Sequence, residues 1–208
     1  MRFVLASQSP ARLATLRSAG IQPEVIVSGV DESGVTAADP AGLAQTLARL
    51  KAEAVVDQLL DTPGPVIVVG CDSVLELDGV AYGKPWTADV AVERWRMMRG
   101  RSGVLHTGHQ LIVIDNDAIV HAEGRGATTV VHFADLSDAE IDAYVATGEP
   151  LVVAGSFTLD GLGGAFVTGI EGDPHNVVGI SLPLLREMII DAGHTWQELW
   201  TGPGQPGA

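Results

Sequence analysis

Hydrophobic positions fall into two patterns along the chain. Short unbroken apolar runs read as buried strands, and apolar residues spaced three and four apart read as helices. Residues 3–6 (Phe-Val-Leu-Ala) are the first run. Ser9 then caps a helix that carries Pro10 at its first position, Leu13 and Leu16 on one side, and Gly20 at its end. Residues 25–27 predict a short strand. A second helix starts at Asp39-Pro40, with Leu43, Leu47, Leu50 and Ala54 along one face, and stops before Thr62-Pro63-Gly64-Pro65. Residues 66–70 (Val-Ile-Val-Val-Gly) are unalternating and β-branched, as in a strand covered on both faces. Asp78-Gly79 marks a hairpin turn, and a helix runs from Thr87 to Gly100. Residues 111–114 and 118–121 flank the turn Asp115-Asn116-Asp117 and predict a meander that continues over residues 128–133. Ser137 and Glu140 form a capping box, so a helix follows to about Gly148. Residues 151–154 and 165–170 predict strands on either side of a glycine-rich loop, and Asn176 predicts the cap of a last helical stretch interrupted at Pro183.

This alternation of strand and helix predicts an α/β fold. The 208 residues, 46% of them hydrophobic, suffice for a buried core in one domain over residues 1–200. The glycine- and proline-rich stretch 201–208 predicts a disordered tail. No apolar run approaches the ~18 residues of a membrane span. Residues 3–6 are too short a run for the apolar core of a signal peptide. Cys71 is the single cysteine, which excludes a disulfide framework and a cysteine-based zinc cluster. These features predict a cytoplasmic protein with no membrane partner.

The net charge of −14 argues against a broad basic face for nucleic acid polymers or anionic membranes. It makes the cations worth locating, and only Lys51 and Lys84 are lysines. Ser7, Ser9 and Arg12 sit where a strand runs into a helix start, a place with free backbone N–H groups that anions occupy readily. Ordinary capping accounts for the same residues. Asp72 follows an apolar strand, where a carboxylate can hold a divalent cation or act as general base for water; the alternative is a turn aspartate. Lys84 reads as a point charge for phosphate or as a surface turn lysine. Asp160 lies in a loop rich in glycine and reads as an acceptor for a nucleobase edge or as a plain Asp-Gly turn. His106 and His109 are three apart, so a strand would send them to opposite faces and no paired-histidine metal site is expected. Neither Ser7 nor Ser156 lies in a Gly-x-Ser-x-Gly elbow, which disfavours a serine hydrolase.

Taken in order, LASQSPAR, the Asp31-Glu32 pair, a helix carrying Lys51-Ala52, GCDS and GKP around Asp72 and Lys84, HTG, AGSFTLDGLGG and IEGDPHNVVGISL resemble the Maf family over about residues 5–190. The resemblance implies a nucleoside triphosphate pyrophosphatase. Such an enzyme uses a divalent metal cation (Mg, Mn or Co) and water to release a nucleoside monophosphate and pyrophosphate. It implies a long twisted mixed sheet with flanking helices, two lobes around a deep cleft, and a homodimer. By position it implies Asp72 as proton acceptor, Lys51, Lys84 and Glu32 as catalytic partners, Glu32 and Asp72 toward the metal, and Ser7, Ser9 and Arg12 toward the phosphates.

The chain also departs from the family pattern. Ala11 stands where relatives often carry a first arginine, and Ala11, Ser73 and Asp160 fall on positions associated with substrate choice. The pyrimidine-preferring branch tends to threonine and glutamine at the latter two. The AGSF…GLG wording is nearer the branch acting on 7-methylguanosine triphosphate, so the base stays open. The family's name leaves a second reading, a nucleotide-binding regulator of cell division without turnover.

Overall fold

The computed structural model describes residues 1–61 and 63–201. Seven strands among the described residues form one mixed sheet in the order β2-β1-β3-β5-β6-β7, with β4 also on β3. They are β1 (Arg2–Leu5), β2 (Glu24–Val25), β3 (Val66–Leu77), β4 (Val80–Tyr82), β5 (Ser102–Asp115), β6 (Ala118–Phe133) and β7 (Val167–Glu171). Helices α1 (Pro10–Ser18), α2 (Pro40–Val56), α3 (Ala88–Met98), α4 (Asp138–Ala146), α5 (Pro174–Val178) and α6 (Leu182–Asp191) surround it. The fold is α/β, as expected.

The sheet changes character along β3. Residues 66–69 pair in parallel with β1, and Leu75 to Leu77 pair antiparallel with β4 on the same edge. The other edge is taken throughout by antiparallel β5. Among the described residues no strand covers residues 70–74 on the first edge, and the chain opens there between two lobes. Period-2 alternation assigns the packing. Phe3, Leu5, Ile67 and Val69 face α1 and α6, whereas Val4, Ala6, Val66 and Val68 face α2. The second lobe has its own core, in which Trp95 of α3 packs edge-on against Phe133 and Tyr144.

Helix α2 turns a different side to the sheet than its leucines predict. Ala44, Leu47, Ala48, Ala52 and Val55 are buried, while Leu43 and Leu50 are half-buried and Ala54 is exposed. The reason is close approach. A Cβ on Gly70 would lie 2.4 Å from the Ala48 carbonyl oxygen, and one on Gly108 2.4 Å from that of Ala44. Bare strand positions admit the helix backbone, and only alanine-sized residues fit between.

Other expectations hold or shift for local reasons. Ser9 and Ser137 cap as predicted, and Asp78 and Gly79 take the positive φ of a tight hairpin. Strand β3 runs on through Asp72 and Ser73, and β6 is one strand through Gly124 and Gly126. Residues 151–154 are not a strand: tight turns span Glu149–Val152 and Ala154–Ser156, because Pro150 lacks an N–H and Gly155 and Ser156 both adopt positive φ. The last helical stretch is capped by Asp173 rather than Asn176, whose buried side chain donates to Leu105 O and Thr129 Oγ1 instead. Thr201 donates its N–H to Gly20 O at 2.9 Å, and residues 202–208 of the predicted tail lie outside the described residues.

Gly70→Ala and Gly108→Ala should each cost at least about 1–3 kcal/mol through overpacking against backbone atoms. Gly126→Ala, whose new methyl would meet nothing within 4 Å, should be close to neutral. Denaturant titration of the three variants checks this.

Candidate active site

The uncovered edge of β3 is the floor of a cleft of about 750 Å³. Alternation on β3 sends Asp72 to the α2 face with Val66 and Val68, and Ser73 to the α1 face with Cys71. On α2, Lys51 lies one turn beyond the buried Leu47 and Ala48. Its ammonium donates to Asp72 Oδ1 at 2.5 Å and pairs with Glu32 Oε1 at 2.8 Å. Asp72 is 8% exposed. Burial pushes its pKa up, and the charges of Lys51 and Arg12 offset that only in part, so the net shift is upward.

On the other face, α1 supplies Arg12, 9% exposed and without a carboxylate partner among the described residues. The fork expected to face phosphate is engaged by the protein. Nε donates to Gly179 O at 2.7 Å, Nη1 to Ser7 Oγ at 3.1 Å and Nη2 to Ser73 Oγ at 3.0 Å. The close fit rests on Gly179, whose φ is 118° and whose missing Cβ would sit 3.0 Å from Nε. Thr107 Oγ1 donates to Asn176 O at 3.0 Å, so in the 2.9 Å contact between Ser73 and Thr107 the serine must donate. Proton directions therefore run from Arg12 through Ser73 and Thr107 to α5. Ser7 Oγ also accepts the Ser9 N–H at 3.2 Å, which leaves the Ser7 proton available to a ligand. Ser9 Oγ caps α1 by accepting the Arg12 N–H.

Behind this network His109 is fully buried and neutral. Its Nδ1–H donates to Thr107 O at 3.1 Å, and Nε2 accepts the Ser181 N–H at 2.9 Å. Burial, reinforced by the nearby Arg12 charge, brings its pKa down to about 4. His106 instead meets Glu76 at 2.7 Å, so the two histidines diverge as expected.

The opposite wall carries Lys84 and Asp160, both exposed. Lys84 has no carboxylate partner among the described residues; its ammonium lies 5.0 Å from the centroid of the Trp86 ring. The loop bearing Asp160 is held by Glu149. That carboxylate accepts from Tyr144 Oη at 2.9 Å, Thr158 Oγ1 at 2.5 Å, and the N–H groups of Leu162 and Gly163 at 3.0 Å each. Burial alone would raise its pKa; these hydrogen bonds outweigh burial and lower it. Buried Arg94 ties the two parts of this wall together by donating to Gly83 O and to Ser156 Oγ.

All ten residues singled out in the sequence line this one cleft: Ser7, Ser9, Ala11, Arg12, Glu32, Lys51, Asp72, Ser73, Lys84 and Asp160. A profile described as Maf-like protein matches residues 2–192. The chain belongs to the Maf family. It is 57% identical over 204 residues to a protein of Cutibacterium acnes named nucleoside triphosphate pyrophosphatase, covering 97% of this chain and 95% of that one. Proteins of the same name from Salinispora tropica and Streptomyces coelicolor are each 56% identical, over 97% and 96% of this chain and 88% and 94% of theirs. The Ham1 protein of Staphylococcus aureus overlaps 65% of this chain and 73% of its own with 19% identity and a TM-score of 0.42.

In this Maf-family chain no group of three or more His, Cys, Asp or Glu side chains among the described residues is arranged to hold a metal ion. Glu32 and Asp72 still offer two carboxylates at the cleft. That donor set fits a hard divalent cation that keeps waters and takes further oxygens from a bound phosphate chain. No helix among the described residues is long and apolar enough to cross a membrane. Sequence reasoning missed Thr107, Asn176 and Gly179, although HTG and NVVGISL contain them. Arg94 and Glu149 carry no local signal, because each acts by bracing loops outside its own element and no residue pattern marks that role.

His109 binds protons more weakly in the folded chain than in the unfolded one. The stability it contributes is complete above its unfolded pKa near 6.5 and is lost as pH falls through about 4. Chemical denaturation from pH 7 to pH 4 should show falling stability, and the His109 ring protons should titrate near pH 4.

Proposed function

We propose that this chain is a nucleoside triphosphate pyrophosphatase, hydrolysing ribo- or deoxyribonucleoside triphosphates at the α–β bridge to a monophosphate and pyrophosphate. One observation carries the reading. In a protein of net charge −14, two cations facing one cleft, Arg12 and Lys84, lack a carboxylate partner among the described residues, and a largely buried carboxylate–lysine pair lines the same cleft. Elsewhere six arginines are matched with acids, Arg101 with Asp78 and Arg125 with Asp191 among them, and the exposed Arg17 and Arg186, which lack such a partner among the described residues, do not line this cleft. Cations left uncompensated beside a helix start favour a polyanion.

Within this reading each residue has a task. Ser7 and Ser9 donate hydroxyl protons to phosphate oxygens. Arg12, locked in place, supplies a fixed positive field rather than a moving fork. Lys51 and Lys84 stabilise charge that builds on the departing pyrophosphate. Asp72 takes a proton from the attacking water. Burial raises its pKa and the Lys51 charge opposes that rise, the two influences that tune a general base. A divalent cation (Mg, Mn or Co) held by Glu32 and Asp72 together with the phosphates supplies further charge neutralisation at the phosphoryl group. Ala11, Ser73 and Asp160 shape substrate choice. Ser73 acts through the position it gives Arg12, since its hydroxyl is already committed at both ends. The same reading takes residues 1–200 as one unit, active in the cytoplasm as a homodimer.

A panel of standard and modified nucleoside triphosphates, assayed with each metal for pyrophosphate against orthophosphate, tests the reaction. Tight nucleotide binding without any product would instead favour the non-turnover regulator. Asp72→Asn should lower turnover by about 100-fold or more. Because ionising a buried Asp72 works against folding and Lys51 retains Glu32, the melting temperature should stay level or rise. Turnover with the native enzyme should fall on an acid limb set above the ordinary carboxylate range. Unchanged turnover in the variant would remove Asp72 from its role.

A further inference from the structure

Trp86 has no part in the chemistry above, yet it stands in the cleft wall as the most exposed of the large apolar residues among those described, at 65%. Its backbone is also unusual. Trp86 has φ of 63°, and the Thr87 N–H donates across it to Pro85 O at 2.8 Å. That is a γ-turn with a positive central φ, a rare and strained conformation, and a bulky side chain is the least suited to it. Glycine would adopt it freely. The strained turn is pinned on both sides: Pro85 is buried, and the Trp86 N–H donates to Leu151 O at 3.1 Å. The turn thus holds a tryptophan out in the cleft where packing gives it little. Strain of this kind gathers at ligand contacts.

The surroundings indicate what it meets. Lys84 places its ammonium over the indole, a cation–π contact that steadies the ring. Val152, 58% exposed and next to the residue that anchors Trp86, continues the apolar wall. The far wall carries the polar groups of Ser7, Lys51 and Asp72 beside the apolar Leu43 and Leu47. A cleft that is cationic and hydroxyl-lined at one side and aromatic at the other matches a molecule with a polyanionic chain and a flat π-system. We propose that Trp86 is the platform on which the nucleobase of the substrate stacks, an inference that rests on the pyrophosphatase reading. Stacking tolerates any base, so Trp86 contributes affinity while the choice among bases falls to groups at the base edge.

The test compares native enzyme, Trp86→Ala and Trp86→Phe with a nucleoside triphosphate and with inorganic tripolyphosphate, which has the anionic chain but no base. Trp86→Ala should raise KM for the nucleotide by about 5- to 150-fold, the span of base–aromatic stacking. Inhibition by tripolyphosphate should stay within about twofold of native, and Trp86→Phe should recover most of the loss. An unchanged nucleotide KM, or an equal weakening of tripolyphosphate, would overturn the proposal, the latter by showing that Trp86 acts only through Lys84. If the native enzyme releases no pyrophosphate, the pyrophosphatase reading fails by itself. The stacking platform is then judged by equilibrium binding of the same nucleotide to the three proteins, with the same two outcomes. Melting temperatures of Trp86→Ala and Trp86→Phe close to native keep folding defects out of the comparison.

Discussion

The close seat of α2 on the sheet is the constraint on which the cleft depends. Gly70 and Gly108 leave bare backbone beneath the helix, and Ala44, Ala48 and Ala52 meet it with side chains small enough to fit. Only at that depth does Lys51 reach Asp72 while still reaching Glu32 on its outer side. A helix held farther out by larger side chains would leave Asp72 buried without its counter-charge, a state that burial alone pushes toward protonation. Packing and catalysis are therefore one arrangement here: the smallness of five residues determines the ionisation of a sixth.

The charges follow a related logic. An acidic protein repels a polyanion at long range, so attraction must be local and preorganised. Arg12 provides it in an immobile form. Its three anchors come from the β1–α1 loop, from β3 and from the end of α5. The guanidinium costs little reorganisation when a ligand arrives because it is already ordered. Arg94 does for the opposite wall what Arg12 does for the floor, joining the chain beside Lys84 to the turn that precedes the Asp160 loop.

Much of this was legible in the sequence, for reasons that differ by residue. The Ser9-Pro10 start, the Ser137 capping box and the Asp78-Gly79 hairpin depend on local chemistry and read correctly. The ten cleft residues emerged because motif order, not any one motif, carries the information. The sheet-facing side of α2 did not read correctly, since large apolar residues normally mark the core side and here glycines on the facing strands invert the preference. The strand expected over residues 151–154 failed because the apolar run outweighed the flanking breakers Pro150 and Gly155, and the positive φ of Ser156 leaves no trace in residue type. The groups that hold Arg12 in the cleft were not legible, because the carbonyl that accepts from its Nε belongs to Gly179, 167 residues away.

The gap along β3 has one more consequence. Strand β1 stops at Leu5, opposite Val69, and β4 begins opposite Leu77 and ends opposite Leu75, so the cleft floor exists because two strands are short. The sheet could be completed there by a few more paired residues, since the registers of both strands on β3 lead into the gap. The binding site is in this sense a missing piece of secondary structure whose place is kept open for a ligand. Insertions just after Leu5 or around Tyr82 would threaten it less by distorting the fold than by perfecting it.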